Sequence, residues 1–304
     1  MKLVRRVQLK IDYANSGKKD ALHRVLTEAI RVVNLFIVEL WNRPKCKFVD
    51  FKVDTWLSAR MQQCLGKQAS ETVKSAKTRL AKGKKTSMPV FSRPVINFDS
   101  RFVEFDFAPD TKEFDSWIRL TCIGDKIKLN LPSKQHKHFK KFVDDGWTLG
   151  KSCRLRYVND TFYIDVYFEK EVEHTPLKSP KRLGIDCGYK RLLATSTGNI
   201  YGDNLERVYE KLSRQQRGSK NYTQTLQHRD NLVGQAVNQC LSVEQPDAVF
   251  VEALLNVKHK TKQKKRLSTR FVNKLQYWVY RKTLDKIRNW CASKGVYFDH
   301  VDPR

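Results

Sequence analysis

The chain has 304 residues, with 59 Lys and Arg against 32 Asp and Glu, a formal net charge of +27 and a hydrophobic share of 40%. That hydrophobic share excludes a disordered basic tail, and the length admits two or three domains around a substantial core. The charge far exceeds the magnitude of roughly 2–8 that keeps a small domain soluble, so it costs self-repulsion unless a polyanion, nucleic acid above all, neutralises it. In chain order, Val7, Leu9, Ile11 and Tyr13 alternate with Gln8, Lys10 and Asp12, which predicts a half-buried strand within 1–15. After the Asn15-Ser-Gly17 break, residues 16–87 read as a helical insert. Apolar residues at Leu22, Val25, Leu26, Ala29, Val33 and Phe36 predict an amphipathic helix from Asp20 to Trp41. A second helix is expected over 55–81. Its last part offers Lys74, Lys77, Arg79 and Lys82, followed by Lys84 and Lys85, as a basic face suited to a phosphate backbone; a solvated helix face is the plainer alternative.

From 88 to 170 the period becomes two. Strands are predicted at 102–107, 117–122 and 126–131, with a turn at Gly124-Asp125. A hairpin follows, turning at Asn159-Asp160 between Cys153, Leu155, Tyr157 and Phe162, Ile164, Val166, Phe168. Short antiparallel strands with regular turns predict a small β-barrel that the first strand completes. Residues 171–181, with Pro176 and Pro180, read as a linker. Over 182–304 the predicted order is three strands, a long helix (204–242), a strand (247–252), a helix (269–293) and a strand (295–301), the order of an RNase H-like fold.

Seven cysteines, none in a CxxC pair, argue against a disulfide framework or a zinc site within residues 1–304. They read as small buried residues in a reducing compartment. Met1-Lys-Leu-Val-Arg-Arg6 lacks the apolar run of a signal peptide, and the most apolar helix, around Ile30 to Leu40, is too short and polar to span a bilayer. A cytoplasmic protein, nucleoid-associated in a prokaryote or phage-infected cell and with no membrane partner, is expected.

Two carboxylates carry the chemistry. Asp186 ends the strand Leu183-Gly-Ile-Asp186, and Glu252 ends Ala248-Val-Phe-Val-Glu252. Acids on adjacent strand ends have the rigidity that two-metal phosphodiester cleavage needs. Gly188 is expected to let a substrate backbone approach closely. Each acid alone reads more simply as a turn or cap residue; the pair, in this order and in so basic a chain, points to a nuclease.

The segments Gly184-Ile-Asp-Cys-Gly188 and Leu193-Ala-Thr-Ser-Thr-Gly198 resemble the first RuvC motif of TnpB, the transposon-associated RNA-guided nuclease, a motif shared by compact type V CRISPR effectors. Lys211-Leu-Ser-Arg-Gln-Gln-Arg-Gly-Ser-Lys-Asn221 is similar to the basic segment that follows it, and Val249-Phe-Val-Glu-Ala-Leu-Leu-Asn-Val-Lys258 to the second motif. Cys187 and Ala253 depart mildly from the family's pattern. The resemblance is specific over 181–304 and looser over 1–170. It implies an α+β multidomain fold: a wedge-type β-barrel with an inserted helical recognition region, then a RuvC-like domain. It also implies guide RNA and target DNA as partners, Mg²⁺ as cofactor, and Asp186 and Glu252 as catalytic metal ligands. The family's zinc ribbon and third catalytic acid would follow Arg304, so the RuvC-like domain is expected to lack its C-terminal part. The implied activity is RNA-guided DNA cleavage; the alternative is RNA-guided DNA binding without cleavage, as in a transcriptional repressor.

Further nucleic-acid contacts are expected from two basic segments. One holds Lys258, Lys260, Lys262, Lys264, Lys265, Arg266 and Arg270, directly after the Glu252 strand, as a lid over a single strand or a heteroduplex. The other holds Arg207, Lys211, Arg214, Arg217 and Lys220 along the long helix and its break at Gly218-Ser219. Tyr277, Trp278 and Tyr280 read as core. His136 and His138 make a weak metal pair and read as part of a solvated or phosphate-facing loop.

Overall fold

Asn15 starts the first helix by accepting a hydrogen bond from the Lys18 amide at 3.0 Å, the side-chain cap that an orphan helix N–H requires. The computed structural model describes the chain apart from residues 1, 44, 46, 108–109, 111–112, 174–179, 254–274 and 302–304. It divides into two compact units, one comprising Val4–Lys170, the other Met1–Leu3 with Glu171–Arg304. Much of the linker expected over 171–181 lies outside the described residues.

In the first unit, β1 (Lys2–Lys10) leads into α1 (Ser16–Asn42) and α2 (Ala59–Ala81). The expected apolar stripe of α1, from Leu22 to Phe36, is buried. Helix α2 begins later than its periodicity predicts, because the residues before it are pinned elsewhere. Ser58 caps α2 while its own hydroxyl donates to the Cys122 carbonyl at 2.7 Å, and its amide bonds the Ile123 carbonyl at 2.8 Å. The partner turn needs glycine: Gly124 has φ +143°, and a Cβ there would lie 2.5 Å from the Trp56 carbonyl.

Strands β2 (Val95–Phe98), β3 (Val103–Asp106), β4 (Ser116–Leu120) and β5 (Leu129–Ser133) follow, then α3 (Lys137–Asp144) and the hairpin of β6 (Thr148–Val158) and β7 (Thr161–Glu171). Strand β5 starts at Leu129 rather than Lys126, because Asp125 and Lys126 take left-handed conformations (φ 47° and 53°) that no strand accommodates. The hairpin turns at Asn159 and Asp160, both left-handed, as a tight primed turn requires.

The expected closed barrel is not what forms. The strands make two open sheets, in the orders β1-β7-β6-β2 and β3-β4-β5. Strands β2 and β3 are only four residues long, too short to carry a ladder from one sheet to the other. Side chains do the joining: Ser133 at the end of β5 donates to the Lys10 carbonyl at 3.0 Å, and the His136 Nε2 bonds the Gln8 carbonyl at 2.9 Å. One apolar cluster, including Phe36, Phe98, Ile118, Leu131, Phe139 and Phe168, fills the space. Strand β1 nevertheless lies beside β7, so the two helices interrupt a single sheet.

In the second unit, β8 (Arg182–Asp186), β9 (Leu193–Thr195), β10 (Ile200–Tyr201), α4 (Leu205–Arg214), α5 (Lys220–Glu244), β11 (Ala248–Glu252), α6 (Tyr280–Lys294) and β12 (Tyr297–Val301) occur in that order. The strands form one sheet, β10-β9-β8-β11-β12. Strands β8, β11 and β12 are parallel, β9 is antiparallel to β8, and β10 is antiparallel to β9. The single long helix expected at 204–242 is two helices, broken at Gln215–Ser219, with Ser219 capping the second. Leu183, Ile185, Val249 and Val251 share one apolar cluster with Val237, Cys240 and Leu241 of α5 and Ile287 and Cys291 of α6. No helix among the described residues is long and apolar enough to cross a membrane.

Candidate metal centre and nucleic-acid surfaces

Strand alternation decides where the acids point. Along β8, Leu183 and Ile185 are buried while Arg182 and Asp186 are exposed, so Asp186 lies on the face opposite the apolar cluster. Along β11, Val249 and Val251 share the core face and Phe250 and Glu252 the other. The two strands pair in parallel, Ile185 opposite Val251. One step further in that register, Asp186 and Glu252 end their strands side by side on one face. Asp186 is exposed and Glu252 half-buried. Directly after Asp186 in the chain, the buried Cys187 has its thiol pushed up to about 12 by burial first, then by the Asp186 carboxylate, Cys240 and Glu252.

The backbone beside both acids is tied down. The Trp278 indole donates to the Gly188 carbonyl at 2.9 Å, and the Tyr280 hydroxyl donates to the Glu252 carbonyl. Tyr277 and Trp278 are buried. The expected single helix over 269–293, described from Leu275, is broken: Leu275 and Gln276 are helical, Tyr277 to Val279 are not, and α6 starts at Tyr280, so Trp278 lies in the break. Gly188 has a different reason from the one expected: a Cβ there would lie 2.6 Å from the Arg191 carbonyl. A tight turn, closed by the Gly188 amide bonding the Leu192 carbonyl at 3.2 Å, excludes any side chain.

Two carboxylates are hard oxygen donors of the kind Mg²⁺ accepts, since that ion takes one or two protein carboxylates and fills its remaining positions with water and phosphate. The paired strand ends fit that requirement. Among the described residues, no group of three or more His, Cys, Asp or Glu side chains converges.

The predicted basic residues separate by position. Lys74, Arg79, Lys82, Lys84 and Lys85 are exposed. Lys77 is not a free cation: its ammonium donates to the Leu40 carbonyl at 3.1 Å and lies 5.8 Å from the Trp41 ring centre, closing the end of α1. Arg207, Lys211, Arg214, Arg217 and Lys220 are all exposed around the α4–α5 break. Lys258, Lys260, Lys262, Lys264, Lys265, Arg266 and Arg270 lie outside the described residues, as does the Leu254-to-Lys258 part of the second motif. His136 is a helix cap rather than a loop ligand, its Nδ1 accepting from the Phe139 amide at 3.2 Å.

A groove in the first unit went unread in the sequence. Arg6, Arg79, Arg93, Arg154 and Arg156 line a cavity of about 800 Å³ in which Glu71 is the one lining carboxylate. Arg156 is held by two 2.8 Å bonds to the buried Asp165, which Arg6 also reaches at 3.4 Å. Arg154 and Arg156 alternate with the buried Leu155 on β6, so their period-two spacing was the available signal.

No protein-family model and no curated protein matches the sequence. Among solved structures, the chain is similar to the Cas12f1 protein of a Cas12f1–sgRNA–target DNA complex determined by cryo-electron microscopy. The TM-score is 0.60 at 11% sequence identity, over 99% of this chain and 90% of that one. At that identity the likeness is one of fold: this chain has a Cas12f1-like mixed α/β architecture.

Proposed function

We propose that this protein is an RNA-guided DNA endonuclease of the kind represented by TnpB and the compact type V effectors. The observation that carries the reading is the β8–β11 register, which sets Asp186 and Glu252 side by side on the outer face of a sheet. The Cas12f1-like fold and the cationic surfaces support it. In this reading the second unit is an RNase H-like (RuvC) domain. Helices α1 and α2 act as a recognition insert and the flanking sheets as a wedge region. Asp186 and Glu252 hold Mg²⁺, which when bound supplies charge neutralisation at the scissile phosphate and an activated water. The chain's own part is positional. Strand ends fix the two carboxylates, and the Trp278 and Tyr280 bonds hold the backbone that carries them. The arginine groove and the basic residues around the α4–α5 break neutralise phosphates of guide RNA and target DNA, while base pairing supplies sequence specificity.

The test uses the full chain loaded with the RNA that co-purifies with it, Mg²⁺ and DNA matched to that RNA. Cleavage is expected, and Asp186→Ala or Glu252→Ala should each reduce it by at least about a hundredfold, because even residues that only orient metal ligands cost 10–100-fold. RNA binding should stay within about twofold, since neither acid contacts it electrostatically in a favourable sense. Undiminished cutting by Asp186→Ala would remove that acid from the mechanism. Matched binding without any cutting by the wild type would favour an RNA-guided binding protein instead.

A further inference from the structure

Three aromatic side chains from distant segments meet on the surface of the first unit. Tyr13 follows β1, Phe114 just precedes β4, and Trp117 lies within it. Ring centres are 5.2 Å apart for Tyr13 and Phe114 and 5.7 Å apart for Phe114 and Trp117, the spacing of touching rings. On β4 the flanking Ser116 and Ile118 are buried, so by strand alternation Trp117 faces outward, half-buried. Tyr13 is 49% exposed. Among the described residues, the apolar cluster that fills this unit includes none of the three. Single exposed rings are ordinary, whereas a contiguous set marks a contact surface. One lysine stands at each end of the row. The Lys18 ammonium lies 5.9 Å from the Trp117 ring centre, and that of the exposed Lys134 lies 5.1 Å from the centre of Tyr13. Of the acids next to these rings in sequence, Asp12 pairs with Lys10 and Asp115 with Lys140 at 3.7 Å. That leaves the exposed Glu113 against the two lysines.

We propose that Tyr13, Phe114 and Trp117 form a stacking platform for an unpaired base of a single strand, with Lys18 and Lys134 at the neighbouring phosphates. Every base has a π-face, so an aromatic surface accepts it whatever its identity, and lysines beside the rings neutralise the backbone that carries it. Lys134 has a flexible stem, and its ammonium swings from the Tyr13 ring to a phosphate as the base arrives. Within a duplex those faces are covered by neighbouring base pairs, so the platform selects strands whose bases are free. The inference rests on the nucleic-acid reading above. It adds a contact to bases, where the arginine groove and the α4–α5 residues meet phosphates.

The experiment measures equilibrium binding of the full chain to a fluorescein-labelled single-stranded RNA of mixed sequence and to the fully paired duplex of that sequence, across a salt series. Tyr13→Leu keeps an apolar contact for Phe114 and removes the π-face. It should weaken single-strand binding about five- to a hundredfold, the worth of one stacked base, without changing the slope of log affinity against log salt. Duplex binding should stay within about twofold, and Tyr13→Phe should bind the single strand as the wild type does. Lys134→Ala should lower the single-strand slope by about 0.7, the value of one phosphate contact. A merely structural ring would instead lower the melting temperature and weaken both nucleic acids alike. Equal single-strand affinity of wild type and Tyr13→Leu, or equal loss on the duplex, would overturn the platform alone. A dimer in sedimentation that Tyr13→Leu dissolves, with strand affinity unchanged, would assign the patch to a second copy instead. A wild type that binds neither RNA would overturn the nucleic-acid reading itself.

Discussion

The Trp278 indole N–H donates to the Gly188 carbonyl at 2.9 Å, so a residue just before α6 supports the turn that directly follows Asp186. Two residues later, the Tyr280 hydroxyl donates to the carbonyl of Glu252 itself. One short segment thus braces the backbone beside both acids. Trp278→Phe keeps most of the buried ring and removes the donor, leaving the Gly188 carbonyl unpaired. The expected cost is about 1–3 kcal/mol in denaturant unfolding. If the braced turn positions Asp186, metal-dependent cleavage should fall further than the stability loss alone accounts for. Equal activity at a temperature where both proteins are folded would separate the brace from the chemistry.

Lys74 and Lys77 lie one turn apart on α2 and should behave oppositely. Lys74→Ala should lower RNA affinity and reduce the salt slope by about 0.7–0.9, with stability unchanged. Lys77→Ala loses the ammonium that closes α1, so unfolding should show a loss of about 1 kcal/mol with little change in salt slope. Thermal melts and salt titrations of the two variants, run together, test the division.

Glu244 ends α5 among donors from the β9–β10 hairpin. It is 4% exposed, and its Oε1 accepts from Asn199 and Thr197 at 2.8 Å and from Tyr201 at 3.2 Å. Those bonds, Asn199's foremost, hold its carboxyl below the usual carboxylate range. A carboxyl lowered on folding contributes stability that is complete above its unfolded pKa, about 4.3, and is lost as pH falls through the lower folded value. Wild type should therefore exceed Glu244→Gln in stability at neutral pH, and the gap should narrow as the pH drops below about 4. Chemical denaturation of both proteins between pH 7 and pH 3 measures it; a gap that does not vary with pH would contradict an ionised Glu244.

Asp165 is fully buried on β7, with Arg156 bonded to both its oxygens. Asp165→Ala leaves a largely enclosed guanidinium uncompensated, and the expected loss is about 3 kcal/mol. Arginine contacts in the groove should loosen as well, so RNA affinity should fall even at temperatures where the variant stays folded. Removing Arg156 and Asp165 together should cost less than the sum of the single changes, which a double-mutant cycle reads directly.

Much of the fold is legible in the sequence. The apolar spacing of α1, the turn residues Asn159 and Asp160, and two acids each closing a hydrophobic strand are local patterns, and local patterns follow from the periods of helix and strand. Which strands are neighbours is a long-range matter. Nothing in the spacing of Phe98 and Phe102 reveals that β2 joins one sheet and β3 another. The sequence around His136 suits a solvated or phosphate-facing loop, because its capping role depends on a helix of eight residues, α3, too short to leave a periodic signal. Lys77 and Lys74 look alike in sequence, and only the approach of α1 separates a structural cation from an exposed one. Gly188 likewise owes its identity to a carbonyl three residues on, which becomes a neighbour only when the chain turns back.

By itself, then, the sequence determined the chain's charge, the periods of its longer helices and strands, and the placing of Asp186 and Glu252 at strand ends, because each is written in composition or in a short repeat. Tertiary structure alone decided that those two acids stand on one face in adjacent register and that five arginines from distant segments share a groove. Each of these requires residues far apart in the chain to meet, and it is packing of the two apolar cores that brings them together.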